Sequence, residues 1–440
     1  MEKLIVKNFK AIEYAEIEVN DLTFFIGQQA SGKSTLAKLV YFFKTLGKYL
    51  TDEMLSSNFG REDLFLDTTN FCYAQFYSFF SESSVLEQKD FFIRYEYKED
   101  IFFEIKATSS GCWMEGIPIS ELLKRSIKEY NELVSEHIFA SEQEINLLTN
   151  QITKEIKTFI PYSSNNVYFP AGRSFFALVN KQSIELGKEF KDNYRDYLKN
   201  YKIYIGFDTH NENDLINYTF INFCTYLKKI VLSISQNENL ISSKQNDIIN
   251  GKYIQFGDEE FIEISENIKI HLSNSSSGQQ ESIRLIQDIN YLSISKKEAF
   301  RVYEEPEAHL FPASQKALME MIVILLNSNT NVQLLISTHT PYLLAVLNVL
   351  MKAKELEKQL GENDLTLDAL VPKEERLDVS RVRVYSAKQT ENGRFIFENV
   401  VNPNTQSINA EIIDEVSEKI EITYDQLLDL QSNLSNSVSE

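Results

Sequence analysis

The sequence is poor in cysteine, glycine and proline, and each shortage argues against a class of protein. It has 3 cysteines, 14 glycines and 8 prolines among 440 residues. The cysteines Cys72, Cys112 and Cys224 are odd in number and lack the spacing of a metal site, so we expect buried thiols in a reducing compartment and no disulfide framework. The few glycines and prolines argue against long flexible linkers.

The sequence also has no apolar run long enough to cross a bilayer. Its most apolar stretches, 321–326 and 334–336, are separated by asparagine-rich polar residues, whereas a spanning helix needs about 20 apolar residues. The first ten residues, MEKLIVKNFK, do not contain the apolar segment of a signal peptide. We expect a cytoplasmic protein with no membrane partner.

Positive charge is the third shortage. Lysine and arginine number 44 against 64 acidic residues, and the net charge is -20. This balance argues against the broad basic surface that drives non-specific DNA binding. An acidic protein can still have a local basic groove. The net charge therefore does not indicate DNA as a partner, but it does not exclude DNA either.

What is present fits a globular α/β protein. Hydrophobic residues make up 43% and charged residues 25% of the chain, which is near ordinary usage. Strand-like and helix-like patterns alternate, as in an α/β core. We predict an α/β fold with a mixed sheet and an inserted helical lobe. The predicted divisions are 1–115 (first part of the core), 116–162 (helical insertion), 163–180 (a core strand and its loop), 181–250 (second helical insertion), 251–430 (second part of the core) and 431–440 (disordered tail).

Short β-branched and aromatic runs predict the strands, and longer helix-friendly segments predict the helices. The predicted strands are 4–9, 15–19, 22–26, 91–97, 101–107, 166–169, 252–256, 260–264, 269–272, 300–303, 333–336, 381–385 and 394–398. The predicted helices are 33–49, 278–292 and 313–326, and segment 119–159 is helical in composition.

A phosphate-binding loop is the most specific motif. The sequence GQQASGKS fits G-x-x-x-x-G-K-[ST] and lies between a predicted strand and a predicted helix. Its backbone N–H groups can surround a polyphosphate, Lys33 supplies charge to the β- and γ-phosphates, and the Ser34 hydroxyl can reach Mg²⁺. The predicted ATP-binding residues of this loop are Gly27, Gln28, Gln29, Ala30, Ser31, Gly32, Lys33, Ser34 and Thr35.

Two adjacent acids follow the predicted strand 300–303. Glu304 is predicted to hold Mg²⁺ and Glu305 to act as the general base that activates the attacking water. A glutamate stands where such strands usually have aspartate, which lengthens the arm toward the metal. The alternative is a solvated charged turn, and the placement directly after an apolar strand disfavours it.

A serine-rich turn, SSSGQQES, precedes these acids by about twenty-five residues. A serine hydroxyl at a helix N-terminus is a phosphate-binding arrangement, and Ser276, Gly278 and Gln279 are its predicted nucleotide-binding residues. A plain helix cap is the alternative.

His339 follows the next apolar strand, in the sequence ISTHTP. A histidine beside the γ-phosphate can sense or stabilise the transferring charge, so we predict a catalytic role for it beside Lys33 and Glu305. We expect structural roles for His137, His210 and His271.

The order of these four elements resembles that of ABC-type ATPases, the group shared by RecF, the heads of structural-maintenance-of-chromosomes (SMC) proteins and the overcoming-lysogenization-defect (OLD) family. The chain also resembles the AAA-family ATPase subunits of bacterial anti-phage systems such as Septu and PARIS. The matching stretches are VKNFKAIEYAEIEV, GQQASGKS, VYFPAGRS, SSSGQQES, VYEEPEAHLFP and LLISTHTPYLL.

The resemblance implies an ABC-type P-loop ATPase head with a mixed sheet and an inserted helical lobe. It implies an ATP-linked homodimer or higher homo-oligomer, because the serine turn of such a head serves the γ-phosphate bound by a partner copy. It also implies weaker sites. Asn8 and Lys10 lie where such heads approach the nucleotide, Arg173 lies where the core couples to the side lobe, and Glu307 and His309 lie in a loop that contacts the partner. A structural role is an equal alternative for each of these.

The chain also departs from its relatives. The residues after His339 have no cluster of acids like that of the OLD nuclease, and we find no HNH-like histidine pair and no long coiled coil. We therefore expect a switch whose effector, a nuclease or toxin, is a separate protein in a defence complex. The alternative is a RecF-style repair ATPase acting directly on DNA. A scaffold that does not hydrolyse ATP and a membrane-transport subunit are disfavoured.

Overall fold

The computed structural model describes most of both ends of the chain and little of 173–239. The described ranges are 2–55, 64–80, 90–99, 101–108, 111–115, 121–135, 142–163, 165–172, 220, 223–224, 226–227, 240–257, 259–362, 364–402 and 404–408. Arg173 and the predicted tail lie outside them.

The helices of the described part are α1 (Lys33–Met54), α2 (Leu64–Phe80), α3 (Glu121–Ser135), α4 (Glu142–Phe159), α5 (Leu240–Ile249), α6 (Ser277–Ser295), α7 (Pro312–Ser328), α8 (Tyr342–Leu360) and α9 (Leu365–Leu370). The strands are β1 (Glu2–Phe9), β2 (Ile12–Val19), β3 (Leu22–Ile26), β4 (Phe92–Lys98), β5 (Ile101–Thr108), β6 (Gly111–Glu115), β7 (Asn166–Phe169), β8 (Lys252–Phe256), β9 (Glu259–Ser265), β10 (Ile268–His271), β11 (Ala299–Glu304), β12 (Val332–Thr338), β13 (Val382–Gln389), β14 (Phe395–Asn399), β15 (Val401–Asn402) and β16 (Ser407–Ile408).

Eleven strands form one mixed sheet in the order β6-β5-β4-β1-β2-β14-β13-β3-β12-β11-β7. From β13 through β3, β12 and β11 to β7 the neighbours are parallel, whereas β6, β5, β4, β1 and β2 run antiparallel to one another. The predicted α/β class with a mixed sheet is confirmed. A separate antiparallel sheet, β10-β9-β8, precedes α6.

The parallel strands are apolar on both sides, as strands covered by helices on both faces must be. In β3 the side chains of Leu22 and Phe24 belong to one buried cluster and Phe25 to the other. Helix α1 packs into the cluster of Phe25, and α6, α7 and α8 pack into the cluster of Leu22. The central strands are therefore a rigid support whose carboxyl ends meet at one edge.

Most predicted elements are present, and the hairpins of β4 with β5 and of β13 with β14 are confirmed by their antiparallel registers. Helices α2 and α8 and strand β6 were not among the predicted elements. The α2 sequence, LFLDTTNFCYAQFYSFF, is rich in aromatic residues of modest helix propensity. Packing of Phe76 and Phe80 against Phe9 and Phe42 stabilises it instead.

The described helices of the two insertions lie on opposite faces of the sheet. Helix α3 packs on α4 and α4 on α1, whereas α5 packs on α6 and α7. The domain boundaries given above stay a prediction. No described helix is long and apolar enough to cross a membrane.

Candidate nucleotide site

The loop between β3 and α1 has a backbone that its glycines make possible. Gly27 and Gly32 have φ angles of 152° and 99°, and an added Cβ would lie 2.6 Å from Ala387 Cβ and 2.8 Å from Ile12 Cγ1, respectively. Gly32 caps α1 without a side-chain hydrogen bond. The first helical hydrogen bond runs from Leu36 N to Gly32 O over 3.0 Å, so the N–H groups before Leu36 have no partner within the helix.

The predicted residues of this loop differ in exposure. Gln28, Gln29, Ala30 and Ser34 are exposed, Thr35 is half-buried and Ser31 is buried. The N–H groups at the start of α1 and the exposed residue Ser34 therefore lie at the positive end of the α1 dipole. This is the arrangement of an anion site.

Lys33 lies within the loop and is only 5% exposed. Its Nζ donates to the carbonyl oxygens of Gly27 (2.8 Å) and Gln28 (2.7 Å) and lies 3.3 Å from Nδ1 of His339. Burial lowers the pKa of Lys33 to about 8, against the opposite effect of Glu305 and other nearby carboxylates. An incoming polyphosphate would offer this ammonium a stronger partner than two carbonyls.

The parallel register brings the acids to the same edge as the loop. Glu304 lies opposite Ser337, and Thr338 lies opposite Ile26, at the end of β3. Glu305 N donates to Ser337 O over 2.8 Å. Glu305 has a φ of 44°, a conformation that is uncommon for non-glycine residues and that turns the chain sharply after the strand.

Glu304 is 8% exposed and already holds two donors. Its Oε1 accepts from the Tyr168 hydroxyl over 2.6 Å, and its Oε2 accepts from Ala171 N over 3.2 Å. These bonds tie the acid to the loop after β7.

His339 joins the other groups. Its Nε2 lies 2.7 Å from Glu305 Oε1, and its Nδ1 lies 3.1 Å from Gly27 O. A carboxylate only accepts, so Nε2–H is the donor to Glu305, whereas the contacts of Nδ1 with the Lys33 ammonium, a donor, and with the Gly27 carbonyl, an acceptor, call for opposite states of that nitrogen. The structure thus brings Lys33, Glu305 and His339 into one continuous chain of contacts.

Glu307 and His309 occupy different environments. Glu307 is 7% exposed, and its Oε1 accepts from the Thr338 hydroxyl and from His339 N at 3.2 Å. Burial raises the pKa of Glu307. It therefore supports the histidine loop from inside the protein, whereas His339 and His309 are partly or fully exposed.

The serine turn is placed elsewhere. Ser276 is exposed and caps α6: its Oγ accepts from Gln279 N (3.3 Å), and its N–H donates to Gln279 Oε1 (3.1 Å). Gln279 Nε2 donates to Ile249 O over 2.7 Å. A Cβ on Gly278 would lie 2.5 Å from His309 O. The helix-cap alternative is thus realised in the structure, and the turn lies against the loop that follows the acids.

A buried ion pair that the sequence analysis missed connects these two regions. Arg301 Nε and Nη2 donate to the two Asp288 oxygens over 2.8 and 3.0 Å, and both side chains are fully buried. The Tyr303 hydroxyl donates to the same acid over 2.9 Å. Arg301 lies in β11 and Asp288 in α6, so the pair links the strand of the acids to the helix of Ser276. The only available signal was an arginine inside an apolar strand.

The weaker sites show local structural roles. Asn8 and Lys10 have φ angles of 55° and 51° around the β1–β2 turn. Asn8 Oδ1 accepts from Arg394 Nη1 over 2.9 Å, and Lys10 Nζ lies 5.3 Å from the ring centre of Phe80. Cys72 and Cys224 are buried.

Three solved SMC heads resemble the chain. One, bound to the C-winged helix domain of ScpA, has 12% sequence identity and a TM-score of 0.43, and the match covers 92% of this chain and 98% of that one. A second, derived from Pyrococcus furiosus and bound to the C-terminal domain of ScpA, has 13% identity and a TM-score of 0.40, with 96% and 100% covered, and a third, from Thermotoga maritima, has 12% identity and a TM-score of 0.38, with 90% and 98% covered. Similarities at this level do not identify a function. No curated protein matches the chain.

A family model gives the clearer result. Residues 1–344 match the AAA ATPase domain, a range that includes every residue of the candidate site. Since this match covers most of the 440 residues, the chain belongs to the AAA ATPase domain family.

Proposed function

We propose that this chain binds and hydrolyses ATP with Mg²⁺, and that two copies complete each catalytic site. The observation that carries the proposal is the contact chain at the sheet edge, in which Lys33, His339 and Glu305 follow one another within 3.3 Å. A cation for phosphate, a carboxylate for water and a histidine between them are the groups that phosphoryl transfer to water requires.

The residues fit the roles assigned to them. ATP phosphates would bind the loop 27–35, with Lys33 released from its two carbonyl partners. Glu305 would accept a proton from the water that attacks the γ-phosphate, giving ADP and phosphate. His339, hydrogen-bonded to Glu305, would orient that carboxylate and face the transferring charge. Lys33, Glu305 and His339 each follow the carboxyl end of a strand of the sheet. The distances between them therefore depend on how these strands pair.

Ser34 and Glu304 are the proposed metal ligands. Among the described residues no group of three or more acids, histidines or cysteines is arranged to hold a metal. This fits Mg²⁺, which usually keeps several waters and takes one or two protein ligands together with phosphate oxygens. Bound there, Mg²⁺ would neutralise phosphate charge and orient the γ-phosphate.

The composite site is supported by the turn of Ser276. Ser276, Ser277 and His309 are exposed, so the γ-phosphate bound by a second copy could approach the N-terminus of α6. The test is a mixing experiment with two inactive variants, Ser276→Arg and Lys33→Ala. In a mixed dimer one site carries both changes and the other neither, so ATPase activity should return on mixing. A fully active Ser276→Arg would contradict the composite site, and an active Lys33→Ala would contradict the ATPase assignment itself.

We also propose that the switch acts in an anti-phage complex through a separate nuclease or toxin. Its support is the motif resemblance described for the sequence. The test is co-purification of the full chain from its native host during phage infection. Recovery of a nuclease or toxin is the expected result. Nanomolar binding to duplex DNA by the purified chain at about 150 mM salt, a concentration that weakens non-specific contacts, would instead favour the repair alternative.

A further inference from the structure

A buried tyrosine of β7 holds the acid that we assign to the metal. The Tyr168 hydroxyl donates to Glu304 Oε1 over 2.6 Å, and Tyr168 is fully buried. The other oxygen, Glu304 Oε2, accepts from Ala171 N over 3.2 Å. Both oxygens of this carboxylate are therefore bonded to β7 or to the loop that follows it.

The pairing of β7 with β11 brings the tyrosine and the acid together. The two strands are parallel, and Tyr168 lies opposite Val302, two residues before Glu304. Side chains two positions apart in a strand share one face of the sheet, so Glu304 follows Val302 on the same face. Val302 and Tyr168 both belong to the buried cluster into which α1 packs. The hydroxyl therefore meets the acid on the face of the sheet that is covered by the helix of the phosphate loop.

That helix also fixes the tyrosine ring. The rings of Tyr168 and Tyr41 pack edge to face, with centroids 5.4 Å apart and an angle of 78° between their planes. Tyr41 is 2% exposed and lies in α1, about two turns after Lys33. Packing against α1 and hydrogen bonding to β11 thus set the position of the hydroxyl between the phosphate-binding helix and the acid.

A glutamate needs such support more than an aspartate does. Its side chain has one more rotatable bond, so the carboxylate can take more orientations and loses more entropy when it is held in one. Mg²⁺ requires nearly ideal octahedral geometry, which makes the direction of each ligand oxygen important. Hydrogen bonds that orient the ligands of a metal typically contribute about 10–100-fold to its affinity.

We propose that Tyr168 is a positioning residue that orients the Glu304 carboxylate toward Mg²⁺ and so compensates for the length of this glutamate. The inference rests on the proposed Mg²⁺–ATP site and adds to it a residue that acts through Glu304 and not on the nucleotide. It can be tested because the hydroxyl can be removed while the aromatic ring is kept.

The first test is Tyr168→Phe in the full chain. Mg²⁺ is titrated at a fixed concentration of a non-hydrolysable ATP analogue, and the bound analogue is measured at equilibrium, so that the readout does not depend on turnover. Tyr168→Phe should raise the Mg²⁺ concentration at half-maximal binding by about tenfold or more, because the carboxylate loses the donor that orients it.

The matched control is Tyr303→Phe. Tyr303 is also a fully buried tyrosine whose hydroxyl donates to a carboxylate, that of Asp288, over 2.9 Å, but it belongs to the cluster on the other face of the sheet. Both variants should lose similar stability in denaturant titration, whereas Tyr303→Phe should keep the wild-type Mg²⁺ midpoint. Equal shifts of the midpoint in the two variants, or no shift in Tyr168→Phe, would overturn the positioning role alone. A wild type that binds no analogue, or binds it equally without Mg²⁺, would instead contradict the proposed Mg²⁺–ATP site itself.

The second test asks whether Tyr168 acts through Glu304. Glu304→Ala removes the carboxylate and should raise the Mg²⁺ midpoint more than Tyr168→Phe does. In the double variant the loss of the hydroxyl should cause no further shift, because no carboxylate is left to orient. Additive shifts are expected of independent residues, and they would show that Tyr168 does not act by positioning Glu304.

Discussion

The contact chain at the sheet edge and the turn of Ser276 satisfy their polar groups in opposite ways. Lys33, His339 and Glu305 bond to residues that come from three distant parts of the sequence. Ser276 bonds to Gln279 and Gln280, three and four residues away. The fold brings together the groups of the contact chain, whereas the hydrogen bonds of Ser276 lie within a single helical turn.

This difference indicates what each region needs in order to act. The edge groups already contact one another, so ATP has to displace protein partners such as the Gly27 carbonyl from Lys33. For Ser276 to bind a phosphate, only its capping hydrogen bonds with Gln279 would have to break, and Ser276 is exposed. In the proposed dimer, Lys33, Glu305 and His339 of one copy would act together with the exposed Ser276 of the other copy.

The two regions are nevertheless mechanically linked. Asp288, two-thirds of the way along α6, is held by Arg301 in β11. Arg284, one turn earlier, donates from Nη1 and Nη2 to Glu260 over 2.6 Å each, with both side chains 4% exposed. Helix α6 is thus fixed both to the central sheet and to the small sheet, and a movement of Ser276 would be transmitted to both.

The largest expected effect is on hydrolysis at the edge. Glu305→Gln should retain ATP binding, because Lys33 and Ser34 are intact, and should lower kcat by about 10²–10⁴-fold, the usual contribution of a positioned base. Steady-state ATPase assays and equilibrium binding separate the two quantities. The control is Glu298→Gln, an exposed acid before the start of β11, which should be unchanged. Full ATPase activity of Glu305→Gln would mean that a residue other than Glu305 is the general base.

The next effect is on the link between the regions. Asp288→Ala leaves the Arg301 guanidinium buried without its partner, which should lower the free energy of unfolding by about 3–5 kcal/mol. Denaturant titration measures this. The exposed control Glu374→Ala should change stability by less than about 0.5 kcal/mol. A loss below about 1 kcal/mol for Asp288→Ala would mean that α6 and β11 are not held by this pair.

The pH dependence of ATP binding tests the edge alone. The pKa of Lys33 is lowered to about 8 by burial, and bound phosphate, an opposite charge, raises it. Above pH 8 binding therefore takes up a proton, and affinity should fall by up to about tenfold per pH unit, whereas below pH 8 this group adds no dependence. Calorimetry from pH 7 to pH 10 measures the slope. In Lys33→Arg, whose guanidinium stays charged, ATP affinity should no longer fall with pH. An unchanged fall in this variant would mean that another group than Lys33 takes up the proton.

The smallest effect concerns the serine turn. Ser276→Ala should cost about 1 kcal/mol of stability through the lost cap, and Ser276→Asn, which also caps, should restore it. If the hydroxyl additionally serves a partner's phosphate, both variants should lose ATPase activity. Thermal unfolding and ATPase assays are measured on the same samples. Restored stability together with full activity in Ser276→Asn would show that the serine is only a cap.

The sequence was informative where one short segment contains all that a feature needs. GQQASGKS includes both the glycines for the loop and the cation for phosphate, and the apolar runs at 22–26, 300–303 and 333–336 marked the three central strands. Helix α2 was missed because its aromatic residues are held by distant phenylalanines. Asp288 was missed because a carboxylate on a helix is ordinarily solvated, and only its position against Arg301 makes it structural.

The sequence by itself indicated the α/β class, the three central strands and the candidate residues Lys33, Glu304, Glu305 and His339, since each depends on local spacing. Only the tertiary structure decided which of these touch. The parallel register of β3, β12 and β11 aligns their carboxyl ends. It also decided that Glu307 lies beneath His339 and that Ser276 faces solvent. Contacts between residues hundreds of positions apart depend on how strands pair, and no local pattern encodes that pairing.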